Sequence, residues 1–104
     1  MKTLTLYNNG RSVAFGDIPQ TTDYQEFAQY VHEAMTNDAY HCVSYFGYPN
    51  SDALQLIMCL ANDTNGTIEV SSFALKEKNC PSLKIRAIDR FEREMTENFG
   101  IAFE

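Results

Sequence analysis

A length of 104 residues, a hydrophobic content of 44% and a net charge of -6 describe one globular domain over residues 1–104. This composition excludes a disordered chain, and the acidic balance argues against a nucleic-acid partner and favours a basic partner surface. No apolar run reaches the ~18 residues of a membrane span and no signal-peptide pattern is present. We therefore expect a cytoplasmic protein with no direct membrane insertion.

The first part of the chain is typical of a β-hairpin. The Asn-Gly dipeptide at positions 9 and 10 favours a two-residue type I′ turn, in which both central residues take positive φ. Pairing about this turn sets Leu6 opposite Val13. It also sets Leu4 opposite Phe15, so all four apolar side chains are predicted to share one face.

A helix is predicted from Asp23 to Thr36. Thr22 and Gln25 have the spacing of a capping box at its start. The apolar residues that repeat at helical spacing are Tyr24, Phe27, Val31, Ala34 and Met35. His32 lies off this stripe, so we interpret it as a surface histidine.

Three strands are predicted in the middle of the chain. Residues 40–46 alternate and are rich in aromatic residues, and residues 47–52 have the composition of a loop. The nearly continuous apolar run at 53–61 indicates a central strand that is covered on both faces. Residues 67–73 form the returning strand after a polar turn.

The polar turn also predicts the register of the last two strands. A four-residue loop places Ile68 opposite Ala61, and Val70 opposite Cys59, on the same face. Residues 75–79 then form a charged connection that we expect to be exposed.

The clearest helix is near the end of the chain. Asp89 is predicted to cap it, with Glu92 reaching back to the amide of the cap, so the helix should start near Arg90. Gly100 supplies the left-handed residue that ends it. The narrow apolar stripe of this helix consists of Phe91, Met95 and Phe99.

Short extended segments flank this helix. Leu83 and Ile85 alternate before it, and Ile101 and Phe103 alternate after it. Together these elements predict an α+β fold: an antiparallel sheet of about five strands with two main helices packed on it.

The search for catalytic chemistry gives no constellation. Cys42 and Cys59 lie in apolar runs and are interpreted as small hydrophobic residues, whereas Cys80 is expected to be exposed, with lysines nearby. A small enzyme that uses Cys80 or His41 is the weakest of three hypotheses, because no partner groups surround either residue in sequence. We therefore predict no catalytic, cofactor-binding or metal-binding residues, and no enzyme activity from the chain by itself.

The last helix also carries a resemblance. Phe-Glu-Arg-Glu at 91–94, then two residues, an acid, one residue, an aromatic and Gly-Ile, resembles the signature of the thirty-kilodalton subunit of respiratory complex I. Respiratory complex I is also called NADH:quinone oxidoreductase. A Pro-Ser pair precedes the family signature by about ten residues, and here Pro81-Ser82 stands ten before Phe91.

Three departures from the signature resemble one branch of the family. Arg90 stands where the family usually has an aromatic residue just before the signature, Glu97 replaces Asp, and Asn98 replaces one of two apolar residues. These departures are more similar to the N-terminal domain of the large subunit of formate-hydrogenlyase-type nickel-iron hydrogenases. The family continues into a Gly-His-Pro segment that leads to its large partner, whereas this chain stops at Glu104, so we expect that docking arm to be absent or removed.

The resemblance implies a non-catalytic assembly domain. It would contact the large catalytic subunit or domain of a nickel-iron hydrogenase or a complex I-like oxidoreductase, peripheral to the inner membrane through the complex and without a cofactor of its own. The residues implied in partner binding are Phe91, Glu92, Arg93, Glu94, Glu97, Phe99 and Gly100. The alternative is a free-standing adaptor that has kept the fold without the redox complex.

Overall fold

The computed structural model describes residues 2–7, 15–50 and 53–104. The described residues form seven strands and two α helices. The strands are β1 (Leu4–Tyr7), β2 (Gln20–Thr21), β3 (Tyr40–Asn50), β4 (Ala53–Asn62), β5 (Thr67–Leu75), β6 (Asn79–Cys80) and β7 (Ala102–Phe103). The helices are α1 (Tyr24–Met35) and α2 (Asp89–Phe99), and 3-10 helices cover Phe15–Asp17 and Arg86–Ile88.

The main sheet has five strands, which confirms the predicted α+β class. Its order is β1-β5-β4-β3 with antiparallel neighbours, and the short β2 pairs with β5 in parallel. The last two strands, β6 and β7, form a separate parallel pair. None of the described helices is long and apolar enough to cross a membrane.

The inner strand β4 is buried from both sides, as its apolar run predicts. Leu56 and Leu60 are fully buried in the larger core, together with residues of α1 and α2. Ile57 is buried in a second cluster with Val70 and Ile18 on the opposite side of the sheet. The second cluster is smaller, and its partly buried members include Leu4, Leu6 and Phe46.

The predicted register between β4 and β5 is confirmed. Cys59 lies opposite Val70, and Ala61 lies opposite Ile68. The polar turn is closed by its own hydrogen bonds, because the Gly66 amide donates to the Asn62 carbonyl at 2.9 Å.

The edge strand β3 is longer than predicted. Gly47 and Pro49, which we interpreted as loop residues, pair with Leu56 and Leu54. Proline is tolerated there because an edge strand leaves some amide positions without a ladder partner. A bulge between Cys42 and Ser44 interrupts the strand.

The first strand pairs with β5, and the predicted pairing of Leu4 with Phe15 is wrong. Leu4 lies opposite Val70 and Leu6 opposite Ile68, and Phe15 begins a 3-10 helix rather than continuing a strand. The predicted turn and Val13 lie outside the described residues.

Both predicted helix caps differ from the structure. The α1 cap is Asp23 rather than Thr22, and its Oδ1 accepts from the Gln25 amide at 3.0 Å. In α2, Asp89 lies inside the helix because the 3-10 turn at Arg86–Ile88 runs directly into it. The amides at the start of α2 therefore follow an existing turn and no side chain caps them.

The core between the helices and the sheet is aromatic. The Phe27 ring of α1 lies 6.2 Å from the Tyr45 ring of β3 and 6.0 Å from the Phe73 ring of β5, measured between ring centroids. Such ring pairs add about 0.5–1.5 kcal/mol each beyond the area that they bury. This packing fixes α1 on the sheet and leaves α2 to cover the edge strand β3.

Candidate functional site

The helix α2 packs along the edge strand through the predicted apolar stripe. Met95 is buried, while Phe91 and Phe99 are half-buried against the core. The Phe99 ring lies so close to Gly47 that a Cβ there would stand 2.9 Å from the ring atom Cε2. Gly47 therefore allows the C-terminal end of α2 to approach the sheet.

The end of α2 is fixed as predicted. Gly100 has φ of 70°, in the left-handed region, and its amide donates to the Thr96 carbonyl at 2.9 Å. Lys78 Nζ donates to the Phe99 carbonyl at 2.8 Å, so a cation also provides a hydrogen bond to a backbone carbonyl at the C-terminal end of the helix.

Glu92 is the central residue of the site, and its role differs from the predicted capping role. Its side chain is buried with 6% exposure. Ser82 Oγ donates to Glu92 Oε1 at 2.7 Å, and the Leu83 amide donates to Oε2 at 2.9 Å. Hydrogen bonds to a carboxylate are about twice as strong as neutral ones. Glu92 therefore anchors the loop at residues 81–83 to α2.

The same loop is held from its other side by the C-terminal tail. The Ser82 amide donates to the Glu104 carbonyl at 2.8 Å, and the Glu104 amide donates to the Cys80 carbonyl at 3.0 Å. The Ala102 amide donates to the Lys78 carbonyl at 2.7 Å. The loop therefore lies between α2 and β7 and has bonds to both.

Cys80 lies behind this loop and is buried, so the prediction that it is exposed is wrong. Its Sγ contacts the Pro81 carbonyl at 3.5 Å, and the Tyr24 hydroxyl donates to the same carbonyl. Burial raises the pKa of the Cys80 thiol to about 11, and the Glu92 charge adds to this against an opposing contribution from Tyr24. Burial also raises the pKa of Tyr24. The thiol is protonated at neutral pH and is therefore a poor nucleophile.

The other charged residues of the signature are exposed. Arg93, Glu94 and Glu97 lie on the outer surface of α2. Among the described residues, neither Arg90 with Glu94 nor Arg93 with Glu97 forms an ion pair. The Arg90 guanidinium instead lies over the Phe91 ring, 4.9 Å from its centroid.

The signature thus divides into two sets. The internal set packs or hydrogen-bonds within the domain and consists of Phe91, Glu92, Phe99 and Gly100. The exposed set consists of Arg93, Glu94 and Glu97. Spacing alone did not separate Glu92 from the exposed carboxylates. The family resemblance does hold a signal that could have separated them, because it places Ser82 ten residues before Glu92. The interpretation of Glu92 as part of a capping box did not use this spacing.

A second carboxylate contact, which is partly buried, was missed from the sequence. Tyr30 donates to Glu69 Oε1 at 2.7 Å and Tyr40 donates to Oε2 at 2.5 Å. Burial, followed by the bond to Glu69, raises the pKa of Tyr30; for Tyr40 the bond to Glu69 is the larger cause of a raised pKa. These residues are far apart in sequence, so no local pattern indicates their contact. They tie α1 to the sheet.

The remaining candidates do not assemble a reactive site. His41 Nδ1 lies 3.1 Å from Asp63 Oδ2 on the surface, with both side chains more than half exposed. His32 is exposed, as predicted, and burial raises the pKa of the thiols of Cys42 and Cys59. Within the described ranges, no group of three or more His, Cys, Asp or Glu side chains could hold a metal ion.

A shallow groove adjoins the C-terminal end of α2. It has a volume of about 280 Å³ and is lined mainly by apolar side chains, among them Leu54, Leu75, Phe99 and Ile101, together with the charged residues Lys76, Glu77 and Lys78.

Comparison of the chain with protein-family models, with curated proteins and with solved structures gives no match.

Proposed function

We propose that this chain is a non-catalytic assembly domain of a membrane-associated nickel-iron hydrogenase or a complex I-like NADH:quinone oxidoreductase. In this role it contacts the large catalytic subunit, and it reaches the inner membrane only through the complex. The exposed residues of α2 form the contact, and the chemistry of the complex belongs to other subunits.

The observation that supports the proposal is the pair of hydrogen bonds to Glu92. The sequence resemblance has two separate parts, the Pro-Ser pair and the signature on α2. The Ser82 hydroxyl and the Leu83 amide both donate to Glu92, so these bonds join the two parts. Residues that contact each other have a physical reason to occur together at a fixed spacing.

The division of the signature fits a docking element. Partner binding is strongest when the contacting groups are already ordered, because less conformational entropy is lost on association. Glu92 and the tail strand order the loop beside α2, while Arg93 and Glu94 remain exposed on a rigid helix. An Arg side chain in this position can make bidentate bonds to a carboxylate of the partner.

Copurification tests the proposal. The tagged chain would be coexpressed with the large subunit of a hydrogenase or complex I-type assembly from the same organism. A tagged globular domain of similar size and net charge serves as the control. We expect the large subunit to be recovered with this chain and not with the control. Equal recovery by both would reject the proposal and leave the free-standing adaptor as the better hypothesis.

A further inference from the structure

The cations of this acidic chain are concentrated in one short segment. Four of its eight Lys and Arg residues lie between positions 84 and 93: Lys84, Arg86, Arg90 and Arg93. With two acidic residues, Asp89 and Glu92, this segment has a net charge of +2, which leaves -8 for the rest of a chain whose total is -6. Glu92 is turned into the protein, so the surface of the segment is more cationic than its composition.

Three of these cations lie along one side of a continuous helical rod. The 3-10 turn that contains Arg86 runs directly into α2, and Arg90 and Arg93 follow at four and seven residues. Residues at this spacing share a helical face, and the exposed Asp89, three residues after Arg86 and four before Arg93, lies on the same face. We call Arg86, Arg90 and Arg93 the arginine face. All three are exposed, and in the described part of the chain none of them forms an ion pair.

Helix stability does not explain this placement. The N-terminal end of a helix carries partial positive charge, so it is stabilised by acids such as Asp89 and Glu92 and not by Arg. The Arg90 guanidinium is oriented by its contact with the Phe91 ring, which leaves its N–H groups free to donate. An oriented cation that has no ion pair within the described residues is suited to an external carboxylate.

We propose that the arginine face binds an acidic segment of the partner protein through its carboxylates. The guanidinium group matches a carboxylate with two parallel hydrogen bonds, which gives both attraction and orientation. The inference deepens the proposed function, on which it rests for the partner being a protein. It also reverses the expectation from net charge, which favours a basic partner surface.

The size and surroundings of the face favour an acidic protein segment over a nucleic acid. From Arg86 to Arg93 the helical rod covers roughly 10 Å, enough for two or three carboxylates. A nucleic acid presents a continuous row of phosphates that would extend beyond the face towards the exposed Glu94 and Glu97, whereas a short acidic segment can end within it. Glu94 and Glu97 border the face on its C-terminal side and limit its length.

Fluorescence anisotropy with defined probes tests the inference. The probes are a labelled eight-residue Glu/Asp peptide, a Lys peptide of the same length and a single-stranded oligonucleotide of the same charge as the acidic peptide. The test variant is Arg86→Gln/Arg90→Gln, and the control is Lys2→Gln/Lys76→Gln, which removes the same charge elsewhere. Thermal unfolding followed by circular dichroism verifies that each variant is folded, and Arg86→Gln alone replaces the double variant if that one is not.

We expect the acidic peptide to bind at low ionic strength and the test variant to bind it about tenfold more weakly or worse, with the control within about twofold of wild type. Equal weakening in test and control variants would show general charge attraction and overturn the inference. Tighter binding of the oligonucleotide or of the Lys peptide would also overturn it.

The large-subunit copurification separates this inference from the proposed function. Arg86 and Arg90 lie outside the signature, so their replacement tests the arginine face alone. Full recovery of the large subunit by Arg86→Gln/Arg90→Gln would reject the inference and leave the proposed function standing. Face-specific peptide binding without recovery of the large subunit would reject the proposed function and retain the inference.

Discussion

Replacing Glu92 by alanine removes the carboxylate that holds the 81–83 loop on α2. The buried Leu83 amide and the partly buried Ser82 hydroxyl then lose their acceptor. A buried donor without a partner costs about 1–3 kcal/mol of folding free energy. Part of this loss is offset, because the alanine variant no longer has to remove a carboxylate from water when it folds. We therefore expect a net destabilisation of about 2–4 kcal/mol.

Urea denaturation and thermal unfolding of the purified chain measure this loss. For a domain of this length, each kcal/mol lowers the Tm by about 4–8 °C, so a decrease of roughly 10 °C or more is expected. The matched control is Glu94→Ala, which removes a carboxylate two residues away on the exposed side of the same helix. The control should stay within about 0.5 kcal/mol of wild type.

Ser82→Ala adds a second test of the same contact. A double-mutant cycle with Glu92→Ala should give a coupling free energy of about 0.5–3 kcal/mol, because the two residues share a hydrogen bond. Equal stabilities for Glu92→Ala and Glu94→Ala, or a coupling of zero, would refute the anchoring role of Glu92.

Three further predictions concern the core and the buried thiol. Leu56→Ala should cost about 2–5 kcal/mol in a urea melt, because the side chain is fully buried on the inner strand; an unchanged midpoint would refute that burial. Gly47→Ala should cost about 1–3 kcal/mol, since the new Cβ would lie 2.9 Å from the Phe99 ring; no loss would mean that the ring moves aside freely. Cys80, with its thiol pKa raised to about 11, should react with a thiol reagent far more slowly in the native chain than in urea at pH 8; equal native and unfolded rates at that pH would contradict the burial.

The raised pKa of the Cys80 thiol also determines how the stability of the chain changes with pH. The native thiol keeps its proton over a range in which the unfolded thiol, with an ordinary pKa of 9.0, has lost it. The contribution of the Cys80 thiol to the free energy of unfolding is therefore fully present below pH 9, and it is lost as the pH rises towards about 11. Comparison of wild type with Cys80→Ala across this range isolates that contribution.

The sequence predicted the elements whose local and long-range signals agree. The run from Ala53 to Ala61 is apolar except for Gln55, which favours an inner strand, and the turn after it leaves one register that buries Val70. The predicted pairing of Leu4 with Phe15 is wrong, because Phe15 begins a 3-10 helix. Leu4 gains a neighbour in Val70, which local patterns do not reveal.

The sequence predicted only part of the site, again because local patterns do not reveal contacts between distant residues. The apolar stripe and Gly100 depend only on helix geometry, and both occur as predicted. The role of Glu92 depends on how the preceding loop folds back onto α2, whereas its position three residues after Asp89 also fits a capping box. The 3-10 turn before α2 decides between the two, because it places Asp89 inside the helix.

The most direct test of the account is the affinity of the large subunit for the exposed set of the signature. Dissociation constants would be measured for wild type, Arg93→Ala and Glu94→Ala, with Lys2→Ala and Asp17→Ala as charge-matched controls and with the Tm of every variant. A charge that loses its partner in a docked interface costs about 2–5 kcal/mol, so we predict affinities at least about 30-fold weaker for the two signature variants. Their Tm should stay within a few degrees of wild type, because both side chains are exposed and form no ion pair within the described chain. Unchanged affinity with an intact fold would contradict the account, because Arg93 and Glu94 would then be only part of the solvated surface of α2.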